Sequence, residues 1–281
     1  MRRHDRRARR RLVDRIASGA IVASGIGVIV PLFVILLFVF VKGLPALNLH
    51  LITENPGPTG VPGGGVKNAI VGSAVLVGLT LLLGLPFAIA TGVYLAEYGR
   101  NRFGFAIRFL VDVLAGVPSI TIGVFIYGAV VLRMGTFSAF AGALSLAMIL
   151  LPVVARVTEE MLLLVPQMTR ESAYALGVPK WRAIMTLILP AATGGILTGI
   201  VLAVARVAGE AAPLLFTSLG NNFYSTGIFS PIDALPLRIY TYATGPFPYQ
   251  HDQAWASSFI LIMFVLLLSV SGRLLLQRRA R

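Results

Sequence analysis

Two opposite charges stand four residues apart in the stretch AVARVAGEAAPLLF, residues 203–216. The rest of this stretch is apolar enough to lie inside a membrane, where an arginine costs roughly 2.5–3.5 kcal/mol. The two side chains, Arg206 and Glu210, would share one face of a helix and could pair there. A guanidinium also donates two parallel hydrogen bonds to the oxygens of an oxyanion. The pattern is consistent with a structural ion pair, but we favour a pathway for an anion.

A second group of polar side chains surrounds Pro118. A proline inside a helix removes a backbone hydrogen bond and bends the helix, so Ser119 and Thr121 would place their hydroxyl groups near a free carbonyl. Contact with a substrate and simple bending explain this pattern equally well. Arg108 and Asp112, also four residues apart, are interpreted as an anchor at the membrane surface.

These residues belong to a chain with the composition of an integral membrane protein. Its 281 residues are 57% hydrophobic and 12% charged, with a mean hydropathy of +0.85. Apolar segments long enough to cross about 30 Å of hydrocarbon recur along the chain, and the alternating pattern of a barrel does not. We predict an all-α integral membrane protein with six transmembrane helices. The predicted helices cover residues 17–41, 70–95, 107–132, 135–155, 191–219 and 255–276.

The distribution of the 24 lysines and arginines predicts the orientation of the chain. Almost all of them lie in the N-terminal segment or in connections on the same side, so both termini are predicted to be cytoplasmic. The basic start resembles a signal peptide, but its apolar run is long and no small-residue cleavage site follows, so we expect a retained anchor. The net charge of +13 then reflects topology and contact with anionic membrane lipid, and no nucleic-acid partner is expected.

Several kinds of chemistry have no signal in the sequence. There is no cysteine, and the three histidines lack a second ligand at metal-binding spacing, so we predict no metal site. Neither G-x-x-x-x-G-K-[ST] nor G-x-S-x-G occurs, so the phosphate-binding loop and the nucleophile elbow are missing. We therefore do not expect an enzyme, and any ATP that the protein uses would be bound by another chain.

The long polar connection at residues 156–190 has its own helix boundaries. Thr169 or Met168 could open a short helix after Pro166, Gly177 could close it in a left-handed cap, and Pro179 could start a second helix that runs to residue 190. The spacing fits a helix that docks on another protein. It fits an amphipathic helix lying on the membrane equally well.

The second half of this connection, ESAYALGVPKWRAIMTLILP, resembles the EAA signature of the membrane subunits of bacterial ABC importers. The departures are a serine at 172 for the usual alanine and a leucine at 187 for the usual isoleucine. The resemblance implies the type I ABC importer permease fold, in which the short helix is a coupling helix held in a cleft of an ATPase subunit. Residues that would serve this coupling are Arg170, Glu171, Ser172, Ala173, Gly177, Leu189 and Pro190.

Three further stretches resemble the permeases of phosphate importers. They are VDVLAGVPSITIG at 111–123, LPAATGGILTGIVLAVARVAGEAAPLLFT at 189–217 and AWASSF at 254–259. One departure is Ala211, where that family more often has a threonine. The missing hydroxyl puts any substrate contact by that side chain in doubt.

The resemblance also implies an organisation and a set of partners. A permease core over 68–273, with its coupling segment at 156–190, would follow a basic N-terminus at 1–16 and an anchor at 17–41, and would precede a basic tail at 274–281. The partners would be a homologous second permease, two copies of an ATPase that use ATP and magnesium, and an extracytoplasmic phosphate-binding protein. The chain itself would bind no cofactor and would reside in a bacterial plasma membrane.

Three other functions are kept as alternatives. An importer of sulfate, molybdate or another oxyanion would share most of these features. A secondary carrier would work without an ATPase, but it should show inverted repeats or more charges within its spans, and neither is found. In a membrane scaffold, Arg206 would be only structural.

Overall fold

The computed structural model describes the backbone of residues 2–279 and the side chains of residues 13–272 and of Leu274. The described residues form α-helices, with long connections at 54–66 and 218–234 and two π-helical segments at Tyr127–Val131 and Ile184–Ile188. The α-helices are α1 (Arg2–Ala46), α2 (Leu49–Thr53), α3 (Lys67–Glu97), α4 (Arg102–Gly116), α5 (Ser119–Ile126), α6 (Leu132–Met134), α7 (Ala139–Leu163), α8 (Gln167–Ala175), α9 (Lys180–Ala183), α10 (Leu189–Ala208), α11 (Leu214–Thr217), α12 (Leu235–Ala243) and α13 (Pro248–Arg279).

Five helical segments are long and apolar enough to cross a membrane, and one bent pair of helices gives a sixth span when the pair is taken as one. The five segments are Val13–Ala46, Lys67–Glu97, Ala139–Leu163, Lys180–Ala208 and Pro248–Gly272. The prediction of an all-α membrane protein with six spans is therefore confirmed. We call the two ends of the bundle the α8 end, which carries α8, and the α12 end, which carries α12.

The first span lies at the edge of the bundle, where it contacts α13 near its C-terminal end. The predicted anchor at 17–41 lies within α1, which passes through Pro31 without ending and is largely exposed along Val13–Ala46. Near its end, Gly43 packs closely on Trp255 and Phe259 of α13. The side chains of residues 1–12 and most of those in the predicted tail at 274–281 lie outside the described part of the structure.

The third predicted span, 107–132, is broken rather than straight. Helices α4 and α5 meet at an angle of 103° across Val117 and Pro118. A break at Pro118 was expected because proline lacks the backbone N–H, but its size exceeds a simple kink. The pair still connects the α8 end, where α4 begins, to the α12 end, where α7 begins.

The predicted bounds of the fifth span, 191–219, are wrong at both ends. The observed helical segment starts at Lys180 and continues through Pro190. Proline cannot donate the backbone hydrogen bond of an α-helix, and the π-helical turn at Ile184–Ile188, just before Pro190, widens the backbone to accommodate it. The segment ends at Ala208 instead of 219, and residues 209–213 are not helical. The second predicted helix of 156–190 therefore merges with this span.

Helices α3 and α7 run parallel and form the centre of the bundle. Their close approach depends on glycines of α3, because a Cβ atom at Gly92 would lie 2.6 Å from the carbonyl oxygen of Ala155 and 2.5 Å from the Cβ of Thr158. Gly84 lies similarly close to Ala147. Small residues are the usual means by which membrane helices approach each other.

This packing predicts a position-specific cost of adding one methyl group to α3. Gly92→Ala is expected to destabilise the protein by about 1–3 kcal/mol, because the added carbon overlaps α7. Gly78→Ala in the same helix meets no atom within 4 Å and serves as the matched control. Thermal unfolding of the two purified variants measures the difference, and equal midpoints would contradict the packing described for Gly92.

Candidate functional site

The small residues of α10 face α7. A Cβ atom at Gly195 or Gly199 would overlap Met161 or Val157 of α7, and Ala203 is buried in the same row. Helix α7 therefore approaches α10 closely along this row. These contacts also show that α10 runs antiparallel to α7.

Arg206 lies two turns beyond Gly199 on α10, which places it near the level of Leu150, in the middle of α7. Its guanidinium is exposed, whereas Val207 beside it is buried. It also belongs to the last turn of the helix, where a cation is favoured by the carbonyl groups that have no helical partner. The structure therefore presents a cation at mid-depth of the bundle.

The expected pairing of Arg206 with Glu210 does not occur in the single chain. Helix α10 ends at Ala208, so Glu210 lies beyond the helix and the four-residue spacing no longer places both side chains on one face. Among the described side chains, no acidic group approaches the Arg206 guanidinium within 4 Å. Glu210 is half-buried and Arg206 is exposed.

The two breaks in the spans lie next to each other. A Cβ atom at Gly123 of α5 would lie 2.6 Å from the Cα of Pro213, so the first turns of α5 pack on the nonhelical segment that follows Glu210. Ser119 is half-buried and Thr121 is exposed in these turns. Helix α5, which carries Ser119 and Thr121, is thus in contact with the segment that contains Glu210 and follows the helix of Arg206.

This arrangement suits the binding of an oxyanion. Irregular backbone at membrane depth is tolerated only where it is buried in protein or lines an aqueous cavity. Here residues 209–213 are irregular, the exposed Arg206 lies in the last helical turn before them, and Gly123 of α5 packs on Pro213 at their end. A forked cation with donor hydroxyls nearby can hold several oxygens of one anion.

The short helix α8 begins at Gln167, after Pro166, one or two residues before the predicted start. Its predicted left-handed cap is confirmed, because Gly177 has a φ of 73° and the N–H groups of Gly177 and Val178 donate to the carbonyls of Tyr174 and Ala173 at 2.9 and 3.1 Å. This is the bonding of a Schellman cap, and glycine adopts that backbone conformation without strain.

The predicted coupling residues divide into two groups by exposure. Glu171 and Ser172 are exposed on the surface of α8, Gly177 is exposed just after it, and large exposed side chains lie beside them. Ala173 and Arg170 are buried beneath the helix. Leu189 and Pro190 lie in α10, within the continuous segment that follows α8. The exposed large side chains near α8 are those of Leu164, Met168, Tyr174, Leu176 and Trp181.

The Arg170 side chain is 10% exposed and points into the bundle. Its Nε and Nη2 atoms donate to one carboxylate oxygen of Glu97 at 3.1 and 2.9 Å. The same guanidinium donates to the carbonyl oxygens of Val165 and Leu162 at 2.5 and 2.6 Å. A cleft of about 280 Å³ opens beside this ion pair.

A second charge network lies near the α8 end and joins α4 to α7. Arg108 donates to Glu159 at 2.6 Å, and Arg156 binds both Glu159, at 3.1 Å, and Asp112. Arg108 and Asp112, which the sequence suggested as an anchor at the membrane surface, thus each pair with a residue of α7. A glutamate and an arginine within a long apolar helix were the signal for this network, since each needs a partner in the membrane.

A third network of charged and polar side chains lies at the α12 end. Arg238 forms an ion pair with Asp233 and donates to the Asn222 side chain at 2.8 Å, while Asn68 donates to Asp233 at 3.1 Å. The side chains of Asp233 and Arg238 are 2% and 6% exposed. Burial raises the pKa of the Asp233 carboxyl above its ordinary value, and the nearby guanidinium of Arg238 opposes this shift. Sequence analysis assigned no role to these residues.

Residues 84–281 match the family model described as "Binding-protein-dependent transport system inner membrane component". The chain is 44% identical to the "Phosphate transport system permease protein PstA" of Yersinia pestis over 99% of this chain and 94% of that protein. It is 47% identical to the protein of the same name from Haemophilus influenzae, over 91% of this chain and 92% of the relative. The "Probable phosphate transport system permease protein PstA" of Methanocaldococcus jannaschii is 39% identical, with 94% of each chain covered.

Solved structures of ABC transporters have the same fold. A crystal structure of a bacterial alginate ABC transporter, in complex with an alginate-bound periplasmic protein, superposes with a TM-score of 0.67 at 16% identity, covering 92% of this chain and 93% of the other. An inward-facing structure of the MetNI methionine ABC transporter gives a TM-score of 0.59 at 18% identity, covering 76% and 94%. The predicted ABC importer permease fold is confirmed.

Proposed function

This chain belongs to the family of binding-protein-dependent transport system inner membrane components, and we propose that it is the permease subunit of an ATP-driven phosphate importer. The observation that carries this proposal is the 44% identity, over 99% of the chain, to a relative named as a phosphate transport permease. The exposed Arg206 at mid-depth supports an anionic substrate.

The permease would work as one half of a translocation unit. A homologous second permease would cover the exposed side of Arg206 and Thr121, so that the anion passes between the two subunits. Arg206 would draw one phosphate to the irregular segment 209–213, while the hydroxyl groups of α5 would replace part of its water shell. Glu210 would hold the guanidinium in place or exchange with the anion as the pathway opens.

Energy would come from outside this chain. Two copies of an ATPase subunit, which use ATP and magnesium, would receive α8 in their clefts, and an extracytoplasmic phosphate-binding protein would deliver the substrate to the α12 end. The α8 end would then be cytoplasmic, together with both termini. Its high content of cations supports this orientation. Those cations are Arg100, Arg102, Arg108, Arg156, Arg170, Lys180 and Arg182.

Purification of the chain from its native membranes tests the proposal. We expect an ATPase and a second permease to copurify, and we expect the complex in liposomes to take up labelled phosphate when ATP and the binding protein are supplied. Excess unlabelled phosphate should abolish this uptake, and excess sulfate or molybdate should leave it unchanged. A lone homo-oligomer that transports without ATP would favour a secondary carrier, and competition by sulfate or molybdate would favour another oxyanion.

A further inference from the structure

Helix α8 is attached to the rest of the chain through two turns. Pro166 precedes its first residue, and Gly177 and Pro179 follow its last turn. A helix held only at these two points could rotate about the line that joins them. A contact elsewhere on the helix decides whether α8 can rotate alone or must move with another element.

That third contact is made with α3, which is distant in sequence. Glu97 is the last residue of α3, and 73 residues separate it from Arg170 of α8. The side chains of the two residues are 5% and 10% exposed, so little water competes for the ion pair. Both Arg170 nitrogens that face Glu97 bind the same oxygen, which fixes the direction of the guanidinium.

The remaining donors of Arg170 bind the end of α7. Its Nη1 atom donates to the carbonyl oxygen of Val165, just past the helix, and its Nη2 atom donates to that of Leu162, which also accepts a hydrogen bond from the Val165 N–H at 3.2 Å. One guanidinium therefore joins α8, α3 and the end of α7. Replacing it removes the cation that pairs with Glu97 and the donor to the Val165 carbonyl.

Lys180 adds a link from the start of α9. Its ammonium group donates to the backbone carbonyl of Glu97 and lies 4.1 Å from the centre of the Tyr98 ring. The turn that follows α8 is therefore also bound to the end of α3. Both covalent connections of α8 thus lie beside the same residue of α3.

We propose that Glu97, Arg170 and Lys180 form a clamp that makes α8 and α3 move as one rigid body. The proposal rests on the proposed function in one respect, since it assumes that α8 is displaced by an ATPase. A displacement of α8 would then pass to α3, from α3 to α7 through the close contact at Gly92, and from α7 to α10 through Gly199. Arg170 and Glu97 are positioning residues in this scheme and touch neither ATP nor the transported anion.

Conservative variants of the clamp test its effect on coupling. Glu97→Gln keeps the shape of the side chain but turns an amide toward the guanidinium, whereas Glu97→Asp keeps the charge. We expect Glu97→Gln to lower phosphate uptake per ATP hydrolysed by at least about tenfold at unchanged yield of the assembled complex, within the usual range of coupling between distant sites. Glu97→Asp should recover most of the coupling because it keeps the charge. If the role of Glu97 were purely steric, Glu97→Gln would be the better-tolerated variant.

Matched controls come from the same end of the bundle. Glu160→Gln and Arg182→Lys change exposed side chains that form no ion pair among the described residues, and both should leave the coupling ratio at the wild-type value. Arg170→Lys keeps the charge but loses the fork, so it should reduce coupling. Equal loss of uptake and of hydrolysis in Glu97→Gln, or no loss in either, would overturn the clamp.

A distance measurement tests the rigid body without reference to the transported anion. The chain has no cysteine, so Ala90→Cys on α3 and Ala175→Cys on α8 provide two exposed sites for spin labels in the assembled complex. The distance between the labels should stay constant with and without ATP, and Glu97→Gln should make it vary. A variable distance in the unmodified clamp would overturn the proposal. If the wild type takes up no phosphate, the proposed substrate is wrong, but the distance between the labels still tests whether α8 and α3 move together.

Discussion

Arg206→Met is expected to reduce phosphate uptake by roughly a hundredfold or more while the complex still assembles. The loss follows from two charge-assisted hydrogen bonds to the anion, each contributing about 1.5–3 kcal/mol. Assembly should persist because the Arg206 side chain is exposed in the chain and forms no ion pair with the described residues. Arg206→Lys should show intermediate uptake because it keeps the charge without the fork.

The double variant Arg206→Met with Glu210→Gln separates a pathway role from a structural pair. A structural pair would tolerate removal of both charges better than removal of one. Arg206 and Glu210 form no such pair among the described side chains, so we expect the double variant to transport no better than Arg206→Met. Arg133→Met changes another exposed arginine and should transport normally. Uptake is normalised to assembled complex, and near-normal uptake by the double variant would exclude the pathway role.

Arg238→Met is expected to destabilise the α12 end by about 3–5 kcal/mol, because it leaves the Asp233 carboxylate buried without its cation. Burial already raises the pKa of Asp233, and removal of the guanidinium should raise that pKa further. In this variant the ionised Asp233 carboxylate is the destabilised form, and protonation of the carboxyl relieves the cost. The variant should therefore lose more stability at about pH 8 than at about pH 5. Thermal unfolding of the purified variant at both pH values measures the effect.

The control for this prediction removes both charges. Asp233→Asn combined with Arg238→Met leaves no buried ion, so it should be more stable than Arg238→Met alone and should show little dependence on pH in this range. A single variant that unfolds at the wild-type temperature, or a loss of stability that is independent of pH, would contradict the described burial of the pair.

The sequence predicted the spans well because each one is a long apolar run, but it predicted their breaks unevenly. Pro118 follows Gly116 within such a run, and both residues disfavour a continuing helix, so that break was found. The break after Ala208 was missed because residues 211–216 remain apolar, so the apolar run continues past Glu210. Hydropathy cannot distinguish a helix from an irregular segment when both are buried in protein.

The candidate site was only partly predictable for a related reason. The types of residue did predict where the helices break, since charged residues within a span and hydroxyl residues beside a proline are typical of irregular segments in membrane proteins. Their partners were not predictable, because helical spacing ranks only neighbours three or four residues away. Glu97 and Arg170 are 73 residues apart, and Arg108 and Glu159 are 51 apart, so only the packing of the bundle brings these pairs together.

The 103° bend between α4 and α5 gives α4 the mechanics of a long arm on a short pivot. With 15 residues, α4 is about 22 Å long, so a rotation of about 10° at the bend would carry its first residue through about 4 Å. Arg108 and Asp112 lie partway along this arm, and each is bound to α7 by an ion pair. A rotation at the bend would therefore have to break these ion pairs or carry α7 with it, and it would also strain the bonds from Arg108 to the carbonyl oxygens of Gly99 and Leu95.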